Sequence, residues 1–280
     1  MGDYSFPTRI VEGNNSVNQI GELIKEYGSR VLLIGDGIAA QEGGWLKKIQ
    51  TIIEDNTHGV ILYDKVDSKS NSDVANKAAE QGRYAQCDVV LGFGGRTALH
   101  IAKATTFLIS HGGILEDYFL GKKGKGKKIS YIEIPTTPGY IPGMIGDFEV
   151  VDKYDGLKKI MNAELYADMV LMDPKLTFSL SEDFTKTIGL ETIAIAIEAF
   201  LSKGSNFMVD TYFYKVLEYI NSNLKKTVKD PENINVRKTI CEAGILASLA
   251  LKFGSQGLTY AIAMVIKSVY GINQALAMSV

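Results

Sequence analysis

The stretch VVLGFGGRTALHIAK (89–103) has the make-up of a strand that breaks into glycines and restarts as a helix. Such a junction aims backbone N–H groups at a phosphate. Gly94 and Gly95 free the backbone to approach a ligand. Arg96 can pair with a phosphate there, and the Thr97 hydroxyl can donate to it, both at the positive end of a helix. The same turn can equally be a tight strand-to-helix connection; it is not G-x-G-x-x-G, which would follow the first strand. Asp36 ends the strand over 29–37, at the edge where ligands dock in open α/β sheets. Its carboxylate either accepts a ribose hydroxyl or closes a turn. IPTTPGYIPGM (134–144) reaches the same edge. Thr136 and Thr137 offer two hydroxyls toward a cofactor, while Pro138 and Pro142 remove two backbone donors.

The second half of the chain carries less. In LETIAIAIEAF (190–200), Glu191 and Glu198 stand on similar faces of one helix with the apolar Ile195 between them. The expected arrangement is a buried helix with one Glu near a cap and one at the surface, and with Ile193, Ile197 and Phe200 in the core. The three histidines, His58, His100 and His111, all lie in the first half. Imidazole is therefore excluded as base or metal ligand from 112 onward. The one strong charge cluster, GKKGKGKKIS (121–130), is interleaved with glycine and reads as a solvated loop.

The elements that must position these groups follow from periodicity. Helical spacing covers 18–29, 38–54, 71–86 (opened by the capping residues Asn71, Ser72 and Asp73) and TALHIAKATTFLISHG. Buried strands cover 29–37, 59–66, CDVVLGFGG and KISYIEIPTT. Alternation of such strands with helices predicts a parallel, doubly wound α/β sheet. From about 180 onward four Ala-, Leu- and Ile-rich helices follow with almost no strand signal. The fold class is thus α/β plus all-α: a Rossmann-like domain over 1–178 and a helical domain over 179–280. At 280 residues, 46% hydrophobic, 22% charged and net −2, the chain is globular and lacks the basic excess of a nucleic-acid binder. No apolar run reaches the ~20 residues of a membrane span. Two cysteines far apart, Cys87 and Cys241, and no signal peptide point to the cytoplasm.

The chain resembles the iron-containing alcohol dehydrogenases, which share a two-domain plan with glycerol dehydrogenase and dehydroquinate synthase. The resemblance runs along essentially the whole chain. It rests on GGRTALHIAKA against GGGSxxDxAKA, IEIPTTPG against IPTTAGTGSE, ADMVLMDPKLTFSL against PDxxxxDPxLTxxLP, and GLETIAIAIEAF against GMDALAHAIEAY. It implies a dinucleotide, NAD or NADP, on the α/β domain, and a divalent metal on the helical one held by one Asp and three His. It also places Lys158 near a lysine that approaches the cofactor.

Laid onto this chain, the four metal positions carry Glu191, Ile195, Met264 and Gln274. Only the first is a good hard donor, so no metal is expected. His100 stands where the family has Asp, Arg96 where it has a third glycine, and Tyr140-Ile141-Pro142-Gly143 where it has TGSE. The resulting expectation is a degenerate member: metal site dismantled, dehydrogenase activity lost or changed, nucleotide binding at Asp36, Gly94, Gly95, Arg96, Thr97, Thr136, Thr137 and Lys158. The alternatives are an active NAD(P)-dependent alcohol dehydrogenase with an unusual site, or a metal-free enzyme using Lys158, Tyr140 or Tyr260. The apolar end ALAMSV calls for a homo-oligomer or protein partner to cover it, or for further chain beyond it.

Overall fold

Val31–Ile34, Val89–Leu91 and Tyr131–Ile134 are buried along their whole length, as strands covered on both faces must be. In the computed structural model, which describes residues 4–36 and 44–279, they sit inside a six-stranded parallel sheet. In chain order the elements are β1 (Arg9–Glu12), α1 (Ile20–Ile24), β2 (Arg30–Asp36), α2 (Trp45–Glu54), β3 (Gly59–Val66) and α3 (Ser72–Tyr84). Next come β4 (Val89–Gly94), α4 (Arg96–His111), α5 (Leu115–Phe119), β5 (Ser130–Pro135), β6 (Asp147–Val151), β7 (Lys158–Asn162) and β8 (Met169–Met172). The helices α6 (Glu182–Leu201), α7 (Phe207–Lys229), α8 (Ile234–Phe253), α9 (Leu258–Tyr270) and α10 (Gln274–Met278) complete the chain.

The sheet order is β1-β8-β5-β4-β2-β3, and β6 with β7 forms a separate antiparallel hairpin. From β2 the chain moves outward to β3 and then returns to the other flank with β4. That reversal is the topological switch point, and ligands of open α/β sheets dock beyond the strand ends there.

The α/β expectation and the buried strands hold. The Asn71 side chain caps α3 as its position suggests, accepting from Asp73 N–H at 3.0 Å. The helix expected over 18–29 is shorter: a 3-10 turn at Ser16–Gln19 leads into α1, which ends before Gly28. A side chain at Gly28 would collide with Val89 and Asp88, so the chain turns there instead of continuing. Of the helix expected over 38–54, α2 supplies the part from Trp45; residues 37–43 lie outside the described residues. The short β1, the β6–β7 hairpin, β8, α5 and α10 are additions.

The chain divides into two compact units. One holds Pro7–Thr136 and Gly146–Asp173 and contains the sheet. The other holds Met1–Phe6, Thr137–Ile145 and Pro174–Val280 and contains α6 to α10. The division is thus not a single cut near 178, because the proline-stiffened 137–145 segment groups with the helices. Gly244 explains why: α8 comes so close that a Cβ there would lie 2.3 Å from Pro138 O. Ser248 on the same helix accepts the Ile141 N–H at 2.8 Å. No single helix among the described residues is long and apolar enough to cross a membrane.

Candidate functional site

Three strand ends lie side by side at the switch point. Gly35 of β2 pairs with Phe93 of β4, and Gly94 pairs with Pro135 of β5. Asp36, Gly94 and Thr136 are therefore neighbours, and Thr136 N–H donates to Gly94 O at 3.0 Å. Gly94 has φ +142°, in the region that favours glycine, and a Cβ there would stand 3.0 Å from Ala98 Cβ and 3.1 Å from Asp36 Cβ. Gly92 lets α4 lie tight on β4, since its Cβ would sit 2.8 Å from that of Ala102. Gly95 is the N-cap of α4 and brings no side chain to its first amides. Gly95, Arg96 and Thr97 are half-buried at this turn, as are Asp36, Thr136 and Thr137 at their strand ends. A strand end, a glycine turn and the start of a long helix with a glycine N-cap are the parts from which a fold can build an anion cradle.

Lys158 is engaged elsewhere in the same unit. Its ammonium pairs with Glu149 at 2.5 Å, both side chains buried. His100, four residues into α4, completes the group: its Nδ1 accepts the Glu149 N–H at 3.2 Å, and its Nε2 lies 3.9 Å from the Glu149 carboxylate. Lys158 is thus bound into an internal ion pair, a partner that the resemblance to a cofactor-facing lysine does not anticipate.

A second buried network, also missed from sequence, lies one turn further along α4. Lys103 is fully buried and donates to Asp147 O at 2.7 Å. Burial pushes its ammonium down to about 7, against the pull of Glu133 and Asp147. Tyr131 donates to Glu133, and burial beside that carboxylate holds the phenol well above its ordinary value. The only sequence signal was a lysine among alanines in a helix and a glutamate in an apolar strand.

In the helical unit the positions that the resemblance gives to metal ligands are buried. Ile195 and Met264 belong to one buried cluster with Tyr140, Tyr260, Ala263 and Met278. The Tyr140 and Tyr260 hydroxyls are 3.1 Å apart and hydrogen-bonded. Glu191 and Gln274 are buried as well. Among the described residues, no group of three or more His, Cys, Asp or Glu side chains could hold a metal ion.

The expectation for the two glutamates is overturned. Glu191 sits in the middle of α6, fully buried, and not near a cap. Glu198 is not a surface group: it accepts the Gly257 and Tyr260 N–H groups at 3.1 Å and so caps α9. Ile197 is 38% exposed and lies outside the core. The buried stripe of α6 runs through Ile188, Glu191, Thr192, Ile195, Ala196 and Ala199, and Ile197 falls off it.

Two family models match the chain. Iron-containing alcohol dehydrogenase covers residues 7–174, and the C-terminal region of the Fe-containing alcohol dehydrogenase family covers 185–280. The NAD-dependent methanol dehydrogenase of Bacillus methanolicus is 22% identical over 281 residues, 100% of this chain and 74% of its own. The sulfoacetaldehyde reductase of Bilophila wadsworthia is 26% identical, over 97% of this chain and 70% of its own. Among solved structures, sulfoacetaldehyde reductase from Bifidobacterium kashiwanohense in complex with NAD+ superposes with a TM-score of 0.91 at 21% identity, covering 99% of this chain and 74% of that one.

Proposed function

Because this chain belongs to the iron-containing alcohol dehydrogenase family, we propose that it is a member whose metal centre has been replaced by packed side chains, and that it binds a nucleotide without metal-assisted hydride transfer. The observation that carries this reading is the buried cluster joining Ile195 and Met264 to Tyr140, Tyr260, Ala263 and Met278. The donor set at the four corresponding positions is a carboxylate, an alkyl chain, a thioether and an amide. Isoleucine has no donor, methionine is soft, and an amide oxygen binds weakly, so the set does not fit a hard divalent ion. A metal at such a site would polarise an alcohol oxygen for hydride loss; nothing in this set does so.

The nucleotide half of the reading rests on the switch point. On this reading Asp36 accepts a ribose hydroxyl, and the Gly94–Gly95 turn with the first amides of α4 holds a pyrophosphate, NAD or NADP being the candidate ligands. Lys158, held by Glu149, contributes through that pair and not as a free cation. Of the apolar end ALAMSV, Ala275 and Met278 are buried in the chain's own core and Leu276 is exposed; a second copy or another protein is the proposed cover for what is left open there. A second reading, an active NAD(P)-dependent alcohol dehydrogenase with an unusual site, is favoured by the activities named for the relatives and by the retained Glu191 carboxylate.

Titration with NADH and NADPH, followed by cofactor fluorescence, and an assay with short alcohols in added iron or zinc separate the two. Binding without turnover supports the first reading. Metal-dependent turnover overturns it, and absence of binding at millimolar cofactor removes its nucleotide half.

A further inference from the structure

His111, the last residue of α4, takes a hydrogen bond that only a neutral ring can accept. The Gly126 N–H donates to its Nδ1 at 2.9 Å. Accepting there uses the Nδ1 lone pair, so the ring proton belongs on Nε2. The donor lies in the lysine loop 121–129, which is exposed over most of its length. Two glycines let this loop lie flat on the helix end. A Cβ at Gly124 would come within 2.9 Å of the imidazole, and one at Gly126 within 1.6 Å of Ser110 O. Ile129 N–H donates to Ser110 Oγ at 3.1 Å. The end of α4 therefore holds the loop through one hydroxyl and one imidazole, with Phe107 packed edge-on against the ring at 4.6 Å.

The charges on the loop itself are all positive, Lys122, Lys123, Lys125, Lys127 and Lys128. From the loop, Lys122 pairs with Asp117 of α5 and Lys128 with Asp168 before β8, while Lys123, Lys125 and Lys127 are exposed. From α5, the Tyr118 phenol donates to the His111 and Gly112 carbonyls. From α3, the Arg83 guanidinium reaches Leu108 O at 3.2 Å. The carbonyl end of α4 favours an imidazolium. Burial opposes it and prevails, holding His111 below its ordinary value.

We propose that His111 is a pH-sensitive latch on the lysine loop: a solvent proton taken up at Nδ1 breaks the Gly126 hydrogen bond and releases the loop from the end of α4. The folded ring titrates below the unfolded value of about 6.5, so the latch is closed above that pH. It opens as pH falls through the folded value, and the closed population drops about tenfold for each further unit. Release adds one positive charge beneath a segment already rich in lysine, which keeps the acid form open.

With only three histidines in the chain, NMR of the full-length protein reads the device directly. The expected result is an Nε2–H tautomer for His111 at pH 7.5. Gly126 should also lose about tenfold or more of its amide protection, corrected for intrinsic exchange, by one unit below the measured pKa. His111→Gln, which keeps an acceptor that does not titrate, should hold the loop at both pH values. An Nδ1–H tautomer at pH 7.5, unchanged Gly126 protection on acidification, or the same acid-induced loss in His111→Gln would each overturn the proposal.

Discussion

The glycine turn between β4 and α4 and the buried cluster of α6, α9 and the 137–145 segment differ in what builds them. At the turn, recognition groups are mostly backbone: a positive-φ glycine, a glycine N-cap and the first amides of a long helix. Those features persist as long as the sheet keeps its order, whatever stands at Arg96 or His100. In the cluster the family's function depends on side-chain identity at a few positions. An isoleucine and a methionine there pack as well as any core residue, and the helices close around them. On the proposed reading, a backbone-built site survives substitutions that erase a side-chain-built one.

The comparison can be broken at either end, most strongly at the cluster. Ile195→His would put an imidazole among apolar groups and should cost about 3 kcal/mol in urea unfolding. A stable variant that also takes up metal would mean that the cluster is still a ligand site. Gly94→Ala forces a side chain into φ +142° between Ala98 and Asp36. It should cost about 2 kcal/mol and weaken NADH binding at least about tenfold; unchanged binding would remove the turn from the site. Tyr140→Phe and Tyr260→Phe should each cost about 1 kcal/mol. The double variant should cost less than the sum, since both remove one bond. Full additivity would contradict a shared hydrogen bond.

A separate test, read as a change of pH slope, concerns the sheet-bearing unit. Unfolded, Lys103 keeps its proton to about 10.5; folded, burial lets it go near 7. The unfolded chain therefore binds more protons in that window, and stability from this group rises with pH across it. Lys103→Met should flatten that rise in unfolding curves taken between pH 7 and 10. An identical slope would place the titration elsewhere.

Much of the fold was legible because its signals are local. The strand over 59–66 is found as read, and Asn71 caps as its type suggests. What escaped depends on partners distant in sequence. Glu198 looked like a surface group because the amides it caps lie at Gly257 and Tyr260. The ion pair of Lys158 was invisible because its partner Glu149 stands across a hairpin whose alternation was not recognised. The 137–145 segment joins the helices through contacts with Gly244 and Ser248, about a hundred residues away, that no local pattern carries. That Asp36, Gly94 and Thr136 would be neighbours was legible because parallel strand ends align once the order of strands is known.

On the proposed reading the cluster around Ile195 and Met264 is core and not a metal centre. Metal analysis of protein purified without chelators, from cells supplied with iron and zinc, tests it most directly. Only trace metal is expected, with thermal unfolding unmoved by a chelator. Near-stoichiometric iron or zinc, with a melting temperature that falls on chelation, would contradict it.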